Sequence, residues 1–140
     1  MQELNGQRMN DELKESIKPY LLDCSRFMDD ILLIEIPDDA LNTFDYRELR
    51  RDIGPLLQAS KKVILDLGLV EFVDSSGCGT LMSCLRKVKM NDGILKICNL
   101  TPQVTEIFRL IQLHTVFDIY DSVEEAVSSF DCNDQFEIKI

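Results

Sequence analysis

The chain has 140 residues, 45% of them hydrophobic, and fifteen Lys and Arg against twenty-five Asp and Glu give a formal net charge of −10. That length suits one domain, and a chain of this size buries roughly two-thirds of its extended surface, so a core needs neither disulfides nor a structural metal. With a pI near 4.5 most of the surface repels phosphate backbones and anionic lipid, which argues against nucleic acid as a general partner.

Residues 1–19 are polar, without a clean apolar stripe, and read as an N-terminal extension. Their scattered charges leave no apolar segment for a signal peptide. Between Tyr20 and Ile36, the segments YLLDC and ILLIEI flank the polar Met28-Asp29-Asp30, which predicts two strands of a hairpin. Asn42 or Thr43 then caps a helix whose Tyr46, Leu49, Ile53, Leu56 and Leu57 recur at three and four residues. Pro55 lacks a backbone donor and is expected to kink that helix or end it early.

Val63 to Leu67 is a short aliphatic run of the kind covered on both faces, so it is expected at the centre of a sheet. A helix is predicted from about Gly77 to Met90, with Cys78, Leu81, Leu85 and Val88 on one stripe. Arg86, Lys87 and Lys89 favour its C-terminal end, and Asn91-Asp92-Gly93 stops it, with glycine as terminator. Ile94 to Cys98 is the next strand. Thr101 as N-cap and Pro102 at the first helical position open a helix that buries Val104, Ile107, Phe108 and Ile111. Val116 to Tyr120 is a last strand, and Ser122-Val-Glu-Glu125 is a capping box for a helix through Val127. Residues 131–140 form a C-terminal tail without an assignable element. Strands alternating with helices imply an α/β fold with a mostly parallel sheet.

Enzyme signatures are sparse. His114 is the single histidine, and neither a phosphate-binding loop nor a nucleophile elbow is present. Gly77-Cys78-Gly79 resembles the start of a dinucleotide fingerprint but lacks its third glycine. The five cysteines are odd in number with no CxxC pair, and they read as reduced thiols of a cytoplasmic protein. No aliphatic run approaches the roughly 20 residues of a membrane span, so no membrane insertion is expected.

One segment stands apart: Asp66-Leu67-Gly68-Leu69-Val70-Glu71-Phe72-Val73-Asp74-Ser75-Ser76-Gly77-Cys78-Gly79. A strand ends here, a loop carries Phe72 towards the core, and Asp74-Ser75-Ser76 lies at the mouth of a helix. Ser75 or Ser76 is expected as its cap. The amides of Gly77, Cys78 and Gly79 would then be open donors of an anion site, and the two glycines would let another backbone approach closely.

VILDLGLVEFVDSSGCGTL resembles the signature of the STAS domain family, the module of bacterial anti-sigma factor antagonists. The resemblance continues through Leu95 to Pro102, Phe108 to Leu113 and Phe117 to Ala126, and places a STAS-like domain at residues 20–130. It implies a small α/β sandwich, with a four- or five-stranded mostly parallel sheet and about four helices. It also implies a binding protein without catalytic residues, cofactor or metal. In the antagonists the first serine after the motif aspartate, here Ser75, is phosphorylated by an anti-sigma factor that is itself a serine protein kinase, and a PP2C-type phosphatase reverses the reaction. Asp74, Ser76, Gly77, Cys78 and Gly79 would surround the partner contact. Where the family shows a Gly-x-Leu-Asp-like segment, this chain reads Asp39-Ala40-Leu41-Asn42, so Asn42 stands in place of a contacting aspartate. Cys78 replaces the usual aliphatic residue between the glycines, which raises redox sensitivity beside simple packing as its role. The leading expectation is thus a phosphorylation-controlled antagonist; the alternative is a non-switching scaffold or a subunit of a stress-signalling or lipid-transport complex.

Overall fold

The computed structural model describes residues 25–28, 30–36, 53–58 and 60–130. β1 (Ser25–Met28) and β2 (Ile31–Glu35) pair antiparallel, with Met28 opposite Ile31. The hairpin is therefore present, but its first strand runs over Ser25–Met28, while YLLDC lies outside the described residues. Met28 belongs to the strand and not to the turn, because a very short connection suffices to reverse the chain.

β3 (Lys62–Asp66), β4 (Ile94–Cys98) and β5 (Asp118–Tyr120) add in parallel, giving a five-stranded sheet in the order β1-β2-β3-β4-β5. β3 sits at the centre, as its unbroken aliphatic run requires. Its Ile64 lies between Leu33 of β2 and Lys96 of β4.

Three connections carry helix: α1 over residues 53–57, α2 (Ser75–Met90) and α3 (Pro102–Leu110). Each parallel strand is laid down on the same side of the one before, so right-handed crossovers put all three helices on one face. That face holds the larger core, where Leu32, Ile34, Val63, Leu65, Leu95 and Ile97 meet Leu56, Leu81, Val88, Val104 and Phe108. A fourth helical segment, α4 over residues 123–130, covers the opposite face with Ala126 and Phe130 against Ile31, Leu33, Ile64 and Cys98. It runs past Val127, the end expected from the sequence, because Phe130 is drawn under the sheet and is only 1% exposed.

Several local expectations are changed by tertiary contacts. α1 passes through Pro55 to Leu57 and closes with the Gln58 N–H donating to the Pro55 carbonyl at 3.2 Å. Asn42 and Thr43 lie outside the described residues. α2 does end at Met90, but the left-handed residue is Asp92 (φ 59°), not Gly93. The Gly93 and Asp92 N–H groups donate to the Val88 and Lys89 carbonyls, a Schellman closure. Gly93 is needed for space, since a Cβ there would lie 2.9 Å from the Lys61 carbonyl oxygen and 3.0 Å from Val88 Cγ1. On α3, Val104 and Phe108 are buried and Ile107 packs against the core, but Ile111 is the C-cap and half exposed. Gln112 then turns left-handed (φ 63°), and the Leu113–Thr115 turn of 3-10 helix delivers Leu113 to the core in place of Ile111. The α4 cap is as expected: Ser122 Oγ accepts the Glu125 N–H at 3.1 Å.

Candidate functional site: the serine at the mouth of α2

The motif occupies the edge of the molecule where the parallel strands end. Asp66, last in β3, uses Oδ1 to accept the Gly68 N–H at 2.9 Å and the Asn99 side-chain amide at 3.1 Å. Asn99 can reach it because it takes a left-handed φ of 63°, a conformation that asparagine tolerates better than most residues. Thr101 Oγ1 donates to the Val70 carbonyl at 3.2 Å and accepts the Val104 N–H at 3.3 Å, so one hydroxyl caps α3 and holds the motif loop. Val70 and Val73 are buried and seat the loop on the core. Phe72 is not carried inward as expected: it is 58% exposed, and Leu69 is 49% exposed. With the two valines facing in, the loop geometry turns Glu71 and Phe72 between them, and Leu69 before them, outward. Leu69 and Phe72 are thus exposed apolar side chains of the motif loop that sequence reasoning missed; two large apolar residues in a glycine-containing loop were the available signal.

Asp74, rather than either serine, caps α2. Its backbone is extended (φ −92°, ψ −175°), its Oδ1 accepts the Gly77 N–H at 2.9 Å, and its carbonyl accepts the Cys78 N–H at 2.9 Å. The open anion site expected at Gly77, Cys78 and Gly79 is therefore not formed. The capping carboxylate already occupies the Gly77 amide, and the next amide has entered the helical bonding pattern.

Ser75 becomes the first helical residue and is exposed, whereas Ser76 is half-buried and its carbonyl accepts the Thr80 hydroxyl at 3.2 Å. Among the described residues the Ser75 hydroxyl has no hydrogen-bond partner. Gly77 and Cys78 are buried, and Gly79 is exposed with nothing within 4 Å of the place a Cβ would take. The structure thus brings Asp74, Ser75 and Gly79 to one surface and turns Gly77 and Cys78 beneath it. Asn42 lies outside the described residues. Burial, followed by the nearby Asp74 carboxylate, pushes the Cys78 thiol up, away from the thiolate that reactivity demands.

His114 lies on the 3-10 turn, away from this site, with Nδ1 3.4 Å from the Phe108 carbonyl. Among the described residues no group of three or more His, Cys, Asp or Glu side chains is placed to hold a metal ion, and no helix is long and apolar enough to cross a membrane.

A model of the STAS domain matches residues 5–126. The chain belongs to the STAS domain family. BtrV of Bordetella bronchiseptica, provisionally assigned as an anti-sigma factor antagonist, is 24% identical over 102 residues, which are 72% of this chain and 88% of that one. A Thermotoga maritima protein with the same provisional assignment has a crystal structure that superposes with a TM-score of 0.69 at 22% identity, covering 75% of this chain and 91% of its own. The anti-sigma factor antagonist SpoIIAA in its unphosphorylated form gives a TM-score of 0.55 at 20% identity, covering 74% of this chain and 90% of its own. The Bacillus cell fate determinant SpoIIAA in its phosphorylated form gives 0.52, also at 20%, covering 74% of this chain and 93% of its own. The STAS fold of this chain, four parallel strands with an antiparallel first strand and helices on both faces, agrees with the architecture that the sequence implied.

Proposed function

We propose that this STAS protein is a phosphorylation-controlled anti-sigma factor antagonist. Unphosphorylated, it binds an anti-sigma factor that is also a serine kinase; phosphorylation of Ser75 releases that partner, and a PP2C-type phosphatase restores binding. The observation that carries the reading is the state of Ser75: exposed, at the first position of α2, its hydroxyl uncommitted among the described residues while the residues around it are held. Relatives assigned as anti-sigma factor antagonists, and SpoIIAA solved in both unphosphorylated and phosphorylated forms, support it.

The chemistry is local. A phosphate on Ser75 adds about −1.5 to −2 charges at a helix N-terminus, where the macrodipole favours them, so α2 need not melt. Asp74 stands immediately before it, and any partner seated on Leu69, Phe72 and Gly79 would have to desolvate both charges. A loss of about 1.4 kcal/mol already weakens binding tenfold. Among the described residues no contact of the Ser75 hydroxyl has to break, so the switch acts through the surface.

Capture experiments with wild type, Ser75→Ala and Ser75→Asp test this. The alanine form is expected to retain a kinase-like protein, and the aspartate form to retain at least tenfold less. Incubation of wild type with the captured partner and ATP should add one phosphate by intact mass, and the alanine form should take none. Undiminished phosphate uptake by Ser75→Ala would sink the assignment, and equal capture by all three forms would favour a non-switching scaffold.

A further inference from the structure

β5 (Asp118–Tyr120) closes the sheet on one side, and among the described residues no strand pairs with its outer edge. In the parallel ladder with β4, successive residues turn their backbone groups to opposite sides. The Tyr120 carbonyl accepts the Asn99 N–H at 3.2 Å, so Tyr120 bonds inwards, as does Asp118 two residues before it, and the N–H and C=O of Ile119 point outwards. Neither group has a hydrogen-bond partner among the described residues. An open donor and acceptor on a sheet edge are a template for a further strand.

The described chain runs away from this edge. β1 lies at the far side of the sheet, and α4 leads from β5 across to Ile31, Leu33 and Ile64 of β2 and β3, where it ends in Phe130. Beside Ile119, on the α3 side, is a cavity of about 360 Å³. α3 starts where β4 ends and runs back along the sheet. Arg109, near its C-terminal end, and His114, on the following turn, therefore line this space where β5 begins, and Asp121 lines it where β5 ends. Arg109 and Asp121 are exposed, and among the described residues neither side chain has a hydrogen bond or an ion pair. The edge thus carries a guanidinium at one end, a carboxylate at the other, and a backbone donor and acceptor midway. Turned end for end, it is its own complement.

We propose that the β5 edge binds a second copy of this chain, the two strands lying antiparallel about a twofold axis through Ile119. The two Ile119 residues exchange both N–H···O=C bonds, as a hydrogen-bonded antiparallel pair does, and the interface is isologous, as a closed twofold dimer requires. In that register Asp118 faces Tyr120 of the second copy, so no carboxylate meets its own image. Asp121 of the second copy falls opposite Phe117, which lines the same space as Arg109, so each guanidinium gains a carboxylate and the contact occurs twice. Ser75 stands at the ends of the strands and not along β5, so both copies keep that surface open. An interface built on one short strand is small, and a Kd of about 0.1 mM is expected.

Sedimentation equilibrium of the full chain and amide exchange read at Ile119 test the proposal. Wild type is expected to form dimers at submillimolar concentration, with protection of the Ile119 amide rising as the chain concentration rises. Arg109→Glu alone and Asp121→Arg alone, both changes at exposed positions, should each weaken self-association by about tenfold or more, because like charges then meet twice across the axis. An equimolar mixture of the two variants restores both opposite-charge contacts and should associate about as tightly as wild type. The fold of each variant is thereby checked within the same experiment. A chain that stays monomeric at millimolar concentration, single variants that associate as well as wild type, a mixture no tighter than either variant alone, or Ile119 protection independent of concentration would each overturn the proposal.

Discussion

Cys98 points from β4 towards α4 with no exposed surface, and burial together with the Asp66 and Glu124 carboxylates pushes its thiol from an ordinary 9.0 up to about 12. The folded form thus keeps a proton that the unfolded chain gives up. Its contribution is fully present below about pH 9 and is lost as pH rises towards 12. Urea midpoints measured from pH 8 upwards should fall more steeply for wild type than for Cys98→Ala, whatever the absolute stability of the variant; parallel profiles would refute this. Cys78 follows the same logic at a place where sequence alone suggests the opposite. A thiol in the first turn of a helix is usually acidified by the dipole, but here burial and Asp74 outweigh it, and the cysteine acts as a packing residue. The sequence could place these thiols in apolar segments. Only their depth and the carboxylates beside them decide their chemistry.

At the scale of the element, two glycines, one in the first turns of α2 and one just past its end, differ in what a side chain would meet. Gly79 lies on an exposed helical turn with open space around it, whereas Gly93 lets the end of the Schellman turn pass against Lys61. Gly79→Ala should therefore stabilise the protein by about 0.5–1 kcal/mol, the usual difference in helix propensity, while reducing partner capture because a methyl group enters the proposed contact surface. Gly93→Ala should destabilise it by about 1–3 kcal/mol, as overpacking does. Urea denaturation of the two variants distinguishes them, and equal signs would contradict the assignment. Other features of the elements were legible directly. Val63 to Leu67 and Ile94 to Cys98 read as strands from their aliphatic runs, and Thr101 with Pro102, or Ser122 with Glu125, mark helix starts, because capping is a contact between residues three apart. The α2 cap is not decided at that range: Asp74, Ser75 and Ser76 are all good caps, and Asp74 serves because of where the loop from β3 delivers the chain.

For the molecule as a whole, the sheet divides two cores of unequal size, the larger under α1, α2 and α3 and the smaller under α4. The backbone amides of Leu32, Leu33, Ile64, Leu65, Leu95 and Ile97 lie in the inner strands between them. They should exchange with solvent only through global unfolding, with α4 exchanging faster. If Ser75 switches binding through surface charge, Ser75→Asp should leave this hierarchy unchanged, while a general loss of protection would point to a change of fold. Lys96 illustrates what a two-faced sheet can hold. It is wholly buried on the α4 side, its Nζ donating to the Tyr120 hydroxyl at 3.1 Å and lying 4.7 Å and 5.0 Å from the ring centroids of Phe130 and Tyr120. Nothing in the run Ile94-Leu-Lys-Ile-Cys98 announces such a lysine.

What the sequence determined by itself were the elements in their order and the motif with Ser75 at a helix mouth, because strand runs, helical stripes and caps are written over a few adjacent residues. The tertiary structure alone decided which side chains face solvent. Phe72 and Ile111 are as apolar as Val73 and Phe108, yet they lie outside the core. Thr101 and Asn99, some thirty residues downstream of the motif loop, set its path. Exposure depends on such distant contacts, and no local pattern encodes them.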